Sequence, residues 1–410
     1  MTASSPMTSV TAESLATWAS VDTLLRPLPE STDVLVLGGG LAGAALAYYL
    51  AKEGVEVTLL ERGDLNREAS GTNAGSFHFQ IALHQLTAWE TGSVRDRLLD
   101  EVHLHAEAAA LWTTLEDELG ASLDVHITGG LMVAETPLEL QLLIDKQKIE
   151  QEAGLDTEVL VGAELRAFAP YLADDLAGAV WCATEGHANP LLAAPLYALR
   201  ASELGANVRT HAPVTAVEAH DGPTTRRFTV TTERGTIRAH RVVNAAGAWA
   251  NDVAALSGLR FPMRAEGLHL NVSEPRPRVL EPMVQHIGRR LTLKQSSNNT
   301  FIIGGGWPAK HARAPARYST IWQSAAGNTA VALRVMPSLA QVRIVRTWSG
   351  VMAFTDDLSP VIGETSRLPG YHTLIATTGF TLGPMMARLL AEHMAAKDPV
   401  PLPSAFSPDR

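Results

Sequence analysis

The stretch that most limits what this chain can fold into is residues 33–62, DVLVLGGGLAGAALAYYLAKEGVEVTLLER. Residues 33–37 form a short, almost wholly apolar run, which is typical of a strand buried on both faces of a parallel sheet. A G-x-G-x-x-G pattern follows, and residues 44–52 have the composition of a helix that ends before Gly54. Residues 55–60 then favour a second strand. The order predicts a βαβ unit with a glycine-rich turn between its first strand and its helix.

Three glycines of this turn, and one acid after it, each suit a task in binding a dinucleotide. Gly38 permits the tight turn, Gly40 lets the backbone approach a pyrophosphate, and Gly43 lets the helix pack close to the strand. The helix N-terminus offers free N–H groups to the phosphates. Glu61 lies 23 residues after Gly38, where a carboxylate can bind ribose hydroxyls. An ordinary glycine turn would leave Glu61 unexplained, and an acid there favours FAD or NAD over NADP.

Length, charge and cysteine content limit the class of protein. Two domains are expected for 410 residues, because one domain usually takes ~100–200. The net charge of −10 argues against nucleic acid as a partner. Cys182 is the only cysteine, which excludes an iron–sulfur cluster or a cysteine-based zinc site held by this chain alone, so no metal is expected. No apolar run approaches the ~18 residues of a membrane-spanning helix, and a cytoplasmic protein is expected, with peripheral membrane association through a partner left open.

The first 30 residues do not have the pattern of a signal peptide, because they carry no basic residue before Arg26 and no continuous apolar core. Leu15, Trp18, Val21 and Leu25 fall at roughly helical spacing. A short helix docked on the body of the protein or on a partner is one interpretation. A partly ordered tail is the other, and the sequence leaves both open.

A second stretch of small residues follows the βαβ unit at 69–80, ASGTNAGSFHFQ. It lies where a long cofactor running away from the first glycines would pass, although a simple surface loop has the same composition. With Glu61-Arg62, this A-S-G-x-N-A-G-S-x-H pattern resembles the D-amino-acid oxidase-like flavoproteins, which include glycine oxidase, sarcosine oxidase and several amine dehydrogenases. It is most similar to the catalytic subunits of opine oxidases, hydrogen cyanide synthase and D-hydroxyproline dehydrogenase. The resemblance covers nearly everything after residue 31.

The resemblance implies FAD as the cofactor and identifies the residues around it. The loop over 69–80 would cradle the pyrophosphate and approach the isoalloxazine ring. The helix that opens at Gly379 would direct its N-terminus, with its partial positive charge, at the N1–O2 edge of the reduced flavin. Beyond the first glycines and Glu61, the cofactor-binding residues implied are Arg62, Ser70, Thr72, Asn73, Ala74, Gly75, Val214, Ala246, Gly247, Gly379, Phe380, Thr381, Leu382 and Gly383.

The expected fold class is α/β, with a discontinuous Rossmann-like FAD-binding domain and a second, α+β substrate domain on a mainly antiparallel sheet. The FAD-binding domain is expected over residues 1–120, 186–263 and 346–410. The substrate domain is expected over 121–185 and 264–345, where the runs LHLNV, RLTLK and TFIIGG favour short strands. Further expectations are helices over 101–119, 137–153 and 190–204, a strand pair over 123–135, and a hairpin over 228–241.

Three side chains are candidates for contact with the substrate. The family oxidises a C–N bond by hydride transfer to flavin N5, so groups that orient the amine matter more than a strong base. Lys294, on a strand that faces the flavin in the family, would bind a carboxylate or assist electron transfer to oxygen, unless it faces solvent. His78 would orient the amine or shift its protonation, unless its role is structural. His269, on the strand over 268–270, is the third candidate.

Two positions depart from the family's pattern. Glycine oxidase-like members hold the substrate carboxylate with arginines at the places that Met352 and Thr381 occupy here. These two substrate-binding positions therefore imply a less cationic pocket, which would admit a larger or differently charged amine. Sarcosine oxidase-like members attach the flavin to a cysteine near position 351, where this chain has valine, so FAD is expected to be non-covalent. Cys182 is expected to be a small buried residue.

The sequence thus predicts an FAD-dependent amine or amino-acid dehydrogenase or oxidase. The resemblance favours the catalytic subunit of a heteromeric complex that oxidises opines or secondary amino acids, with a second flavin- or iron–sulfur-bearing subunit as its partner. A self-sufficient oxidase that produces hydrogen peroxide is one alternative. A flavin-binding subunit that serves assembly or electron transfer is another, against which a deep pocket containing Lys294 and His78 would argue.

Overall fold

A computed structural model describes residues 24–82, 92–220, 227–311 and 318–410, so the helix predicted around Trp18 lies outside the described residues. The described strands are, in chain order, β1 (Ser31–Leu37), β2 (Val57–Leu60), β3 (Ser76–Phe77), β4 (Gly130–Ala134), β5 (Thr157–Leu160), β6 (Gly178–Cys182), β7 (Gly186–His187), β8 (Asn207–Arg209), β9 (Val214–Ala219), β10 (Phe228–Thr232), β11 (Gly235–Asn244), β12 (Met263–Pro275), β13 (Met283–His286), β14 (Thr292–Gln295), β15 (Thr300–Gly304), β16 (Lys310–His311), β17 (Tyr318–Ser319), β18 (Ile344–Thr355), β19 (Val361–Glu364) and β20 (Tyr371–Ile375). The α-helices are α1 (Leu41–Lys52), α2 (Ala69–Thr72), α3 (Gly92–Leu119), α4 (Pro137–Glu152), α5 (Gly162–Phe168), α6 (Ala193–Glu203), α7 (Ala250–Ala255), α8 (Trp322–Val335) and α9 (Gly379–Ala395).

The first sheet has a parallel centre in the order β20-β11-β1-β2-β8, with β19 antiparallel at one edge and the β9–β10 pair extending β11. Residues of β1 alternate between two cores, as a strand buried on both faces requires. Val34 and Val36 pack on the side of α1, α3, α6 and α9, whereas Leu35 and Leu37 pack on the side of α7 and the β9–β10 pair. The parallel centre and the βαβ unit predicted from residues 33–62 are confirmed.

The second sheet has the order β18-β12-β15-β14-β13-β4-β6-β5 and is antiparallel except for the β13–β4 pair. The mainly antiparallel sheet that was predicted is therefore confirmed. Its longest pairing joins β12 and β18, from Met263 opposite Thr355 to Ser273 opposite Ile344. The predicted domain boundary between residues 345 and 346 therefore falls inside a strand of this sheet, and the division into two domains stays a prediction.

Local signals set most element boundaries. Helix α4 begins where expected, because Thr136 and Glu139 form a reciprocal capping box and proline occupies the first helical position. The hairpin of β10 and β11 is confirmed. The strand pair over 123–135 is wrong: β4 is the only strand there, and His126 instead makes an isolated bridge to His187. Among the described residues, no helix is long and apolar enough to cross a membrane.

Candidate active site

A cavity of about 1070 Å³ lies between the two sheets. On one side it is lined by residues at the carboxyl ends of β1, β2, β11 and β20, which is where open α/β sheets bind their ligands. On the other side it is lined by residues of β12, β13, β14 and β18 of the second sheet. The volume exceeds the ~300–1,000 Å³ of most small-molecule sites, so the cavity has room for an extended cofactor together with a substrate.

The glycine turn forms the wall at the first sheet. Gly38 has a positive φ of 119°, and a Cβ atom on it would lie 2.6 Å from the carbonyl oxygen of Ala245. A Cβ atom at Gly43 would lie 2.0 Å from the carbonyl oxygen of Gly38, so only glycine lets α1 approach β1 this closely. The hydroxyl of Ser70 accepts a hydrogen bond of 2.9 Å from the N–H of Leu41, which fixes the second loop against the start of α1.

Glu61 stands at the end of β2 and lines the cavity. Its Oε2 accepts a hydrogen bond of 2.7 Å from the N–H of Gly39, and its Oε1 accepts one of 2.9 Å from the N–H of Gly63. A carboxylate has about four acceptor sites, so these two bonds leave capacity for hydroxyl groups. Beside it, the guanidinium of Arg62 lies 4.0 Å from the ring centre of Trp249. Arg62 and Trp249 both line the cavity, as does Val214.

Most of the predicted cofactor-binding residues share this one cavity. Those that line it are Gly38, Gly40, Glu61, Arg62, Ser70, Asn73, Ala74, Val214, Ala246, Gly247, Gly379, Phe380, Thr381 and Gly383. Four do not line it: Gly43, Thr72, Gly75 and Leu382. The indole N–H of Trp348 donates a hydrogen bond to the carbonyl oxygen of Thr72, and Leu382 is fully buried, so both residues contribute to packing around the cavity rather than to its surface.

The residues present fit FAD. Helices α1 and α9 both begin at the cavity, and the first turn of each leaves N–H groups without partners inside the helix. The first turn of α1 suits the pyrophosphate, and that of α9 suits the negative edge of a reduced flavin. The close-approach glycines and the acceptor at Glu61 complete a dinucleotide site, whose individual residue assignments stay predictions.

His78 lines the cavity and follows directly after the second loop. Its Nδ1 is 2.9 Å from Oε1 of Gln285, and its backbone N–H donates to the hydroxyl of Thr381 over 3.1 Å. Burial lowers the pKa of His78 to about 4, so the ring is neutral near pH 7. Met352 is half-buried and also lines the cavity. The side chain at this position is therefore uncharged, whereas an arginine is expected there in glycine oxidase-like members of the family.

His269 also lines the cavity and is 1% exposed. Its Nε2 is 2.9 Å from Oδ1 of Asn271, whose Nδ2 donates to Asn328. Since the amide oxygen of Asn271 accepts, Nε2 of His269 carries the hydrogen and Nδ1 is bare. Nδ1 is buried and has no hydrogen-bond partner among the described residues. His269 therefore offers a hydrogen-bond acceptor, and burial lowers its pKa.

Lys294 does not line the cavity. Its Nζ lies behind the second loop, 3.2 Å from where a Cβ atom on Gly75 would stand. Burial lowers the pKa of Lys294 to about 7, while the carboxylate of Asp124 opposes that shift. The structure thus places Lys294 beside the flavin loop but not among the groups that face the cavity.

Sequence analysis missed two further histidines that line the cavity, His105 and His286. His105, on α3, lines the cavity and is 3% exposed. Its Nδ1 is 2.8 Å from the carbonyl oxygen of Phe79, which can only accept, so Nε2 is bare and has no partner among the described residues. Burial lowers the pKa of His105 to about 4. Glu101, four residues earlier, also lines the cavity and accepts from Ser359. Their i, i+4 spacing was the available signal.

Comparison with known proteins gives one family and several relatives. The model of the family DAO, described as FAD dependent oxidoreductase, matches residues 33–393. One subunit of the opine oxidase of Agrobacterium tumefaciens is 27% identical, over 89% of this chain and 93% of that protein. The 4-methylaminobutanoate oxidase (formaldehyde-forming) of Paenarthrobacter nicotinovorans is 26% identical, over 91% of this chain but only 45% of that protein.

A solved structure shows the same fold. L-proline dehydrogenase from P. horikoshii has a TM-score of 0.81 at 24% identity, covering 93% of this chain and 98% of that one. An identity this low supports the fold alone. The family match spans both sheets and every element that lines the cavity, and the cavity itself has the features that FAD requires. This chain is therefore an oxidoreductase that belongs to the DAO family of FAD-dependent enzymes.

Proposed function

We propose that this chain oxidises the C–N bond of a secondary amine or amino acid of opine, proline or D-amino-acid type, as the catalytic subunit of a heteromeric dehydrogenase. Bound FAD, held without a covalent link, supplies the acceptor for the two electrons, taken as hydride at N5. The observation that carries the proposal is the set of buried imidazoles that line the cavity, those of His78, His105, His269 and His286, in each of which burial lowers the pKa.

Neutral imidazoles suit an amine substrate. The amine nitrogen must be unprotonated while its neighbouring carbon loses hydride, because its lone pair forms the C=N bond of the product imine. A bare Nε2 on His78 or His105 can accept an N–H of the amine and orient that lone pair. With pKa values of about 4, both rings stay acceptors across the neutral pH range. The imine then hydrolyses in water.

The charge distribution supports a substrate larger than glycine. Of the residues that line the cavity, half-buried Met352 and buried Thr381 are uncharged, whereas Arg289 and Arg290 are exposed. Arg289 is paired with Glu135 at 2.7 Å, and Arg290 donates to the carbonyl oxygen of Gly306. An anionic group of the substrate would therefore bind near the exposed residues Arg289 and Arg290, away from the amine. A secondary amine with a remote carboxylate, as in an opine, fits this arrangement.

A partner subunit is proposed from the relatives. Two of them, from Agrobacterium tumefaciens and Rhizobium meliloti, are by name subunits of an opine oxidase, and this chain covers 93% of each. The only cysteine here, Cys182, is buried, so centres that accept electrons from the flavin would be held by another chain. A lone, buried cysteine also fits a reducing compartment, and we propose a cytoplasmic location.

The test is anaerobic reduction of the flavin, followed by absorbance, across a panel of opines, prolines, D-amino acids and glycine. We expect opines or secondary amino acids to bleach the flavin, and His78→Leu to slow bleaching while FAD is retained. Met132→Leu, a substitution of similar volume at another residue that lines the cavity, is the matched control. No bleaching by any amine in FAD-loaded protein would refute the proposal and favour an assembly subunit.

The electron acceptor is tested separately. Oxygen consumption and dye reduction are compared for the isolated chain and for the chain co-expressed with the products of neighbouring genes. We expect slow reaction with oxygen and faster dye reduction, with electrons passing to a co-purifying subunit. Rapid peroxide production by the isolated, monodisperse chain would contradict the heteromeric role and favour a self-sufficient oxidase.

A further inference from the structure

We infer that Glu185 and Gln285 are positioning residues, which hold His78 in the tautomer with hydrogen on Nδ1 and a bare Nε2 at the cavity. Neither residue was a candidate from the sequence. The tautomer itself follows from hydrogen bonds within the chain. Its chemical consequence, that Nε2 receives an N–H of the amine, rests on the proposed function.

The argument begins at a buried lysine on α4. Lys146 and Glu150 are both fully buried, and Nζ of Lys146 lies 2.6 Å from Oε1 of Glu150. The same Nζ donates to Oε1 of Gln80 over 2.9 Å. An ammonium group can only donate, so the oxygen of the Gln80 amide must face Lys146. Its nitrogen therefore faces the other way, where Nε2 is 3.0 Å from Oε2 of Glu185.

Glu185 is a buried carboxylate surrounded by donors. Its Oε1 accepts from the backbone N–H of Phe79 at 2.9 Å and of Gln80 at 3.0 Å, and its Oε2 accepts from the Gln80 amide. Burial raises the pKa of Glu185, and these hydrogen bonds oppose that shift. Three donors whose orientation does not depend on Gln285, two backbone N–H groups and the Gln80 amide, favour the carboxylate form, and so does the charge of Lys146, which lowers the pKa of Glu185.

Gln285 passes this orientation on to His78. Its amide lies 3.2 and 3.3 Å from the two oxygens of Glu185, and a carboxylate requires the nitrogen, Nε2, at that place. The other atom, Oε1, then faces Nδ1 of His78 at 2.9 Å and can only accept. Nδ1 of His78 must carry the hydrogen. In the neutral ring Nε2 is then a bare acceptor, and it has no hydrogen-bond partner among the described residues.

The other groups that face His78 do not reverse this assignment. The charge of Lys294 lowers the pKa of His78, and a charge on His78 would lower the pKa of His105, so Lys294 opposes protonation of His78. Glu185 is the carboxylate linked to His78 by hydrogen bonds, through Gln285. The hydroxyl of Thr381 contacts only the backbone N–H of His78. The ring orientation therefore depends on Gln285 and, through it, on Glu185.

The first test is Glu185→Gln, which keeps the shape and removes the charge. In this variant the backbone N–H groups of Phe79 and Gln80 still require an acceptor, so the oxygen of the new amide stays with them. The nitrogen of the new amide therefore faces Gln285. The Gln285 amide is then expected to turn over and donate to Nδ1 of His78, which moves the ring hydrogen to Nε2. The tautomer is measured by ¹H–¹⁵N correlation of the ring nitrogens in histidine-labelled holoenzyme, with His78→Leu identifying the His78 signals.

We expect hydrogen on Nδ1 in the parent protein and on Nε2 in Glu185→Gln. Anaerobic flavin reduction by the amine should fall roughly 10–100-fold, as for loss of one hydrogen bond to a reacting group. In a His78→Leu background, Glu185→Gln should have no further effect beyond about twofold. The matched control is Glu139→Gln: Oε2 of Glu139 also accepts two backbone N–H groups, from Glu135 at 2.8 Å and Thr136 at 3.0 Å, but its hydrogen bonds do not lead to Gln285 or His78. It should change neither the tautomer nor the rate.

A second variant covers the case in which Glu185→Gln does not fold. Gln285→Met keeps the donors to Glu185 from Phe79 and Gln80 and removes both bonds of the Gln285 amide, to Glu185 and to His78, so the ring should show a mixture of tautomers. Hydrogen on Nε2 in the parent protein, or an unchanged tautomer in both variants, overturns the inference. Equal slowing with and without His78 would assign Glu185 a purely structural role. The correct tautomer without oxidation of any amine would instead refute the proposed function and leave the positioning intact.

Discussion

Gly43→Ala tests the cofactor site with the smallest possible change. The added Cβ atom would lie 2.0 Å from the carbonyl oxygen of Gly38. That distance is roughly 1 Å or more short of an ordinary carbon–oxygen contact. The obstacle is backbone on both sides, so no flexible side chain can turn aside. Helix α1 must move away from β1, and its N-terminus moves with it at the cavity wall.

The structure allows the size of the effect to be worked out. Overpacking of this kind costs about 1–3 kcal/mol, and the gain in helix propensity from glycine to alanine offsets about 1 kcal/mol, so the apoprotein should lose at most about 2 kcal/mol. The cofactor loses more. A shift of the turn weakens one or two hydrogen bonds to a charged pyrophosphate, each contributing about 1.5–3 kcal/mol. The Kd for FAD should therefore rise at least roughly tenfold, and up to roughly twenty-thousandfold.

The assay is titration of apoprotein with FAD by quenching of flavin fluorescence, with urea unfolding of the apoprotein in parallel. Ala51→Gly, near the end of α1, is the control, because it costs about 1 kcal/mol of helix propensity far from the turn. It should lower stability and leave the Kd for FAD unchanged. A folded Gly43→Ala protein that binds FAD within about threefold of the parent would refute the close-approach argument.

Three further predictions follow from the same contacts. Glu61→Gln can no longer accept at both oxygens, so the Kd for FAD should rise roughly 10–100-fold by titration, with little change in apoprotein stability. Between pH 7 and 10 Lys294 is protonated in the unfolded chain but has lost its proton in the folded protein, where it is buried. The free energy of unfolding should therefore rise with pH in that window, as measured by urea unfolding, and Lys294→Met should abolish the rise. Acid denaturation should release intact FAD, and flavin that precipitates with the protein would contradict non-covalent binding.

The cofactor half of the site was predictable because it is encoded locally. Close approach of backbone leaves a visible mark, since Gly38 and Gly43 occupy positions that no Cβ atom could share with the neighbouring carbonyl groups. The number of residues between the glycine turn and Glu61 is set by the length of one helix and one strand. The parallel pairing of β1 with β2 follows from the same βαβ pattern. Apart from the contact between Gly38 and Ala245, each of these features involves residues that are near one another in the chain.

The substrate half was only partly predictable. Lys294 was placed on the correct strand, but alternation along a strand does not tell which side the flavin loop occupies, and the loop at Gly75 lies between it and the cavity. His105 was missed because it sits on α3 among ordinary helix-forming residues. The strand pair over 123–135 failed for a related reason: Trp181 packs on Gly129 and Glu185 on Gly130, so contacts from distant residues determine that segment.

The groups that set the chemistry of His78 come from four separate parts of the chain. Gln80 follows the flavin loop, Lys146 lies on α4, Glu185 precedes β7, and Gln285 lies on β13. The orientation of one amide determines that of the next group because the ammonium of Lys146 can only donate hydrogen bonds and the carboxylate of Glu185 can only accept them. A donor that is fully buried in α4 thus determines which nitrogen of a ring at the cavity is bare. Substitutions in this network should therefore change the reaction without touching the substrate, and a comparison limited to residues that line the cavity would miss them.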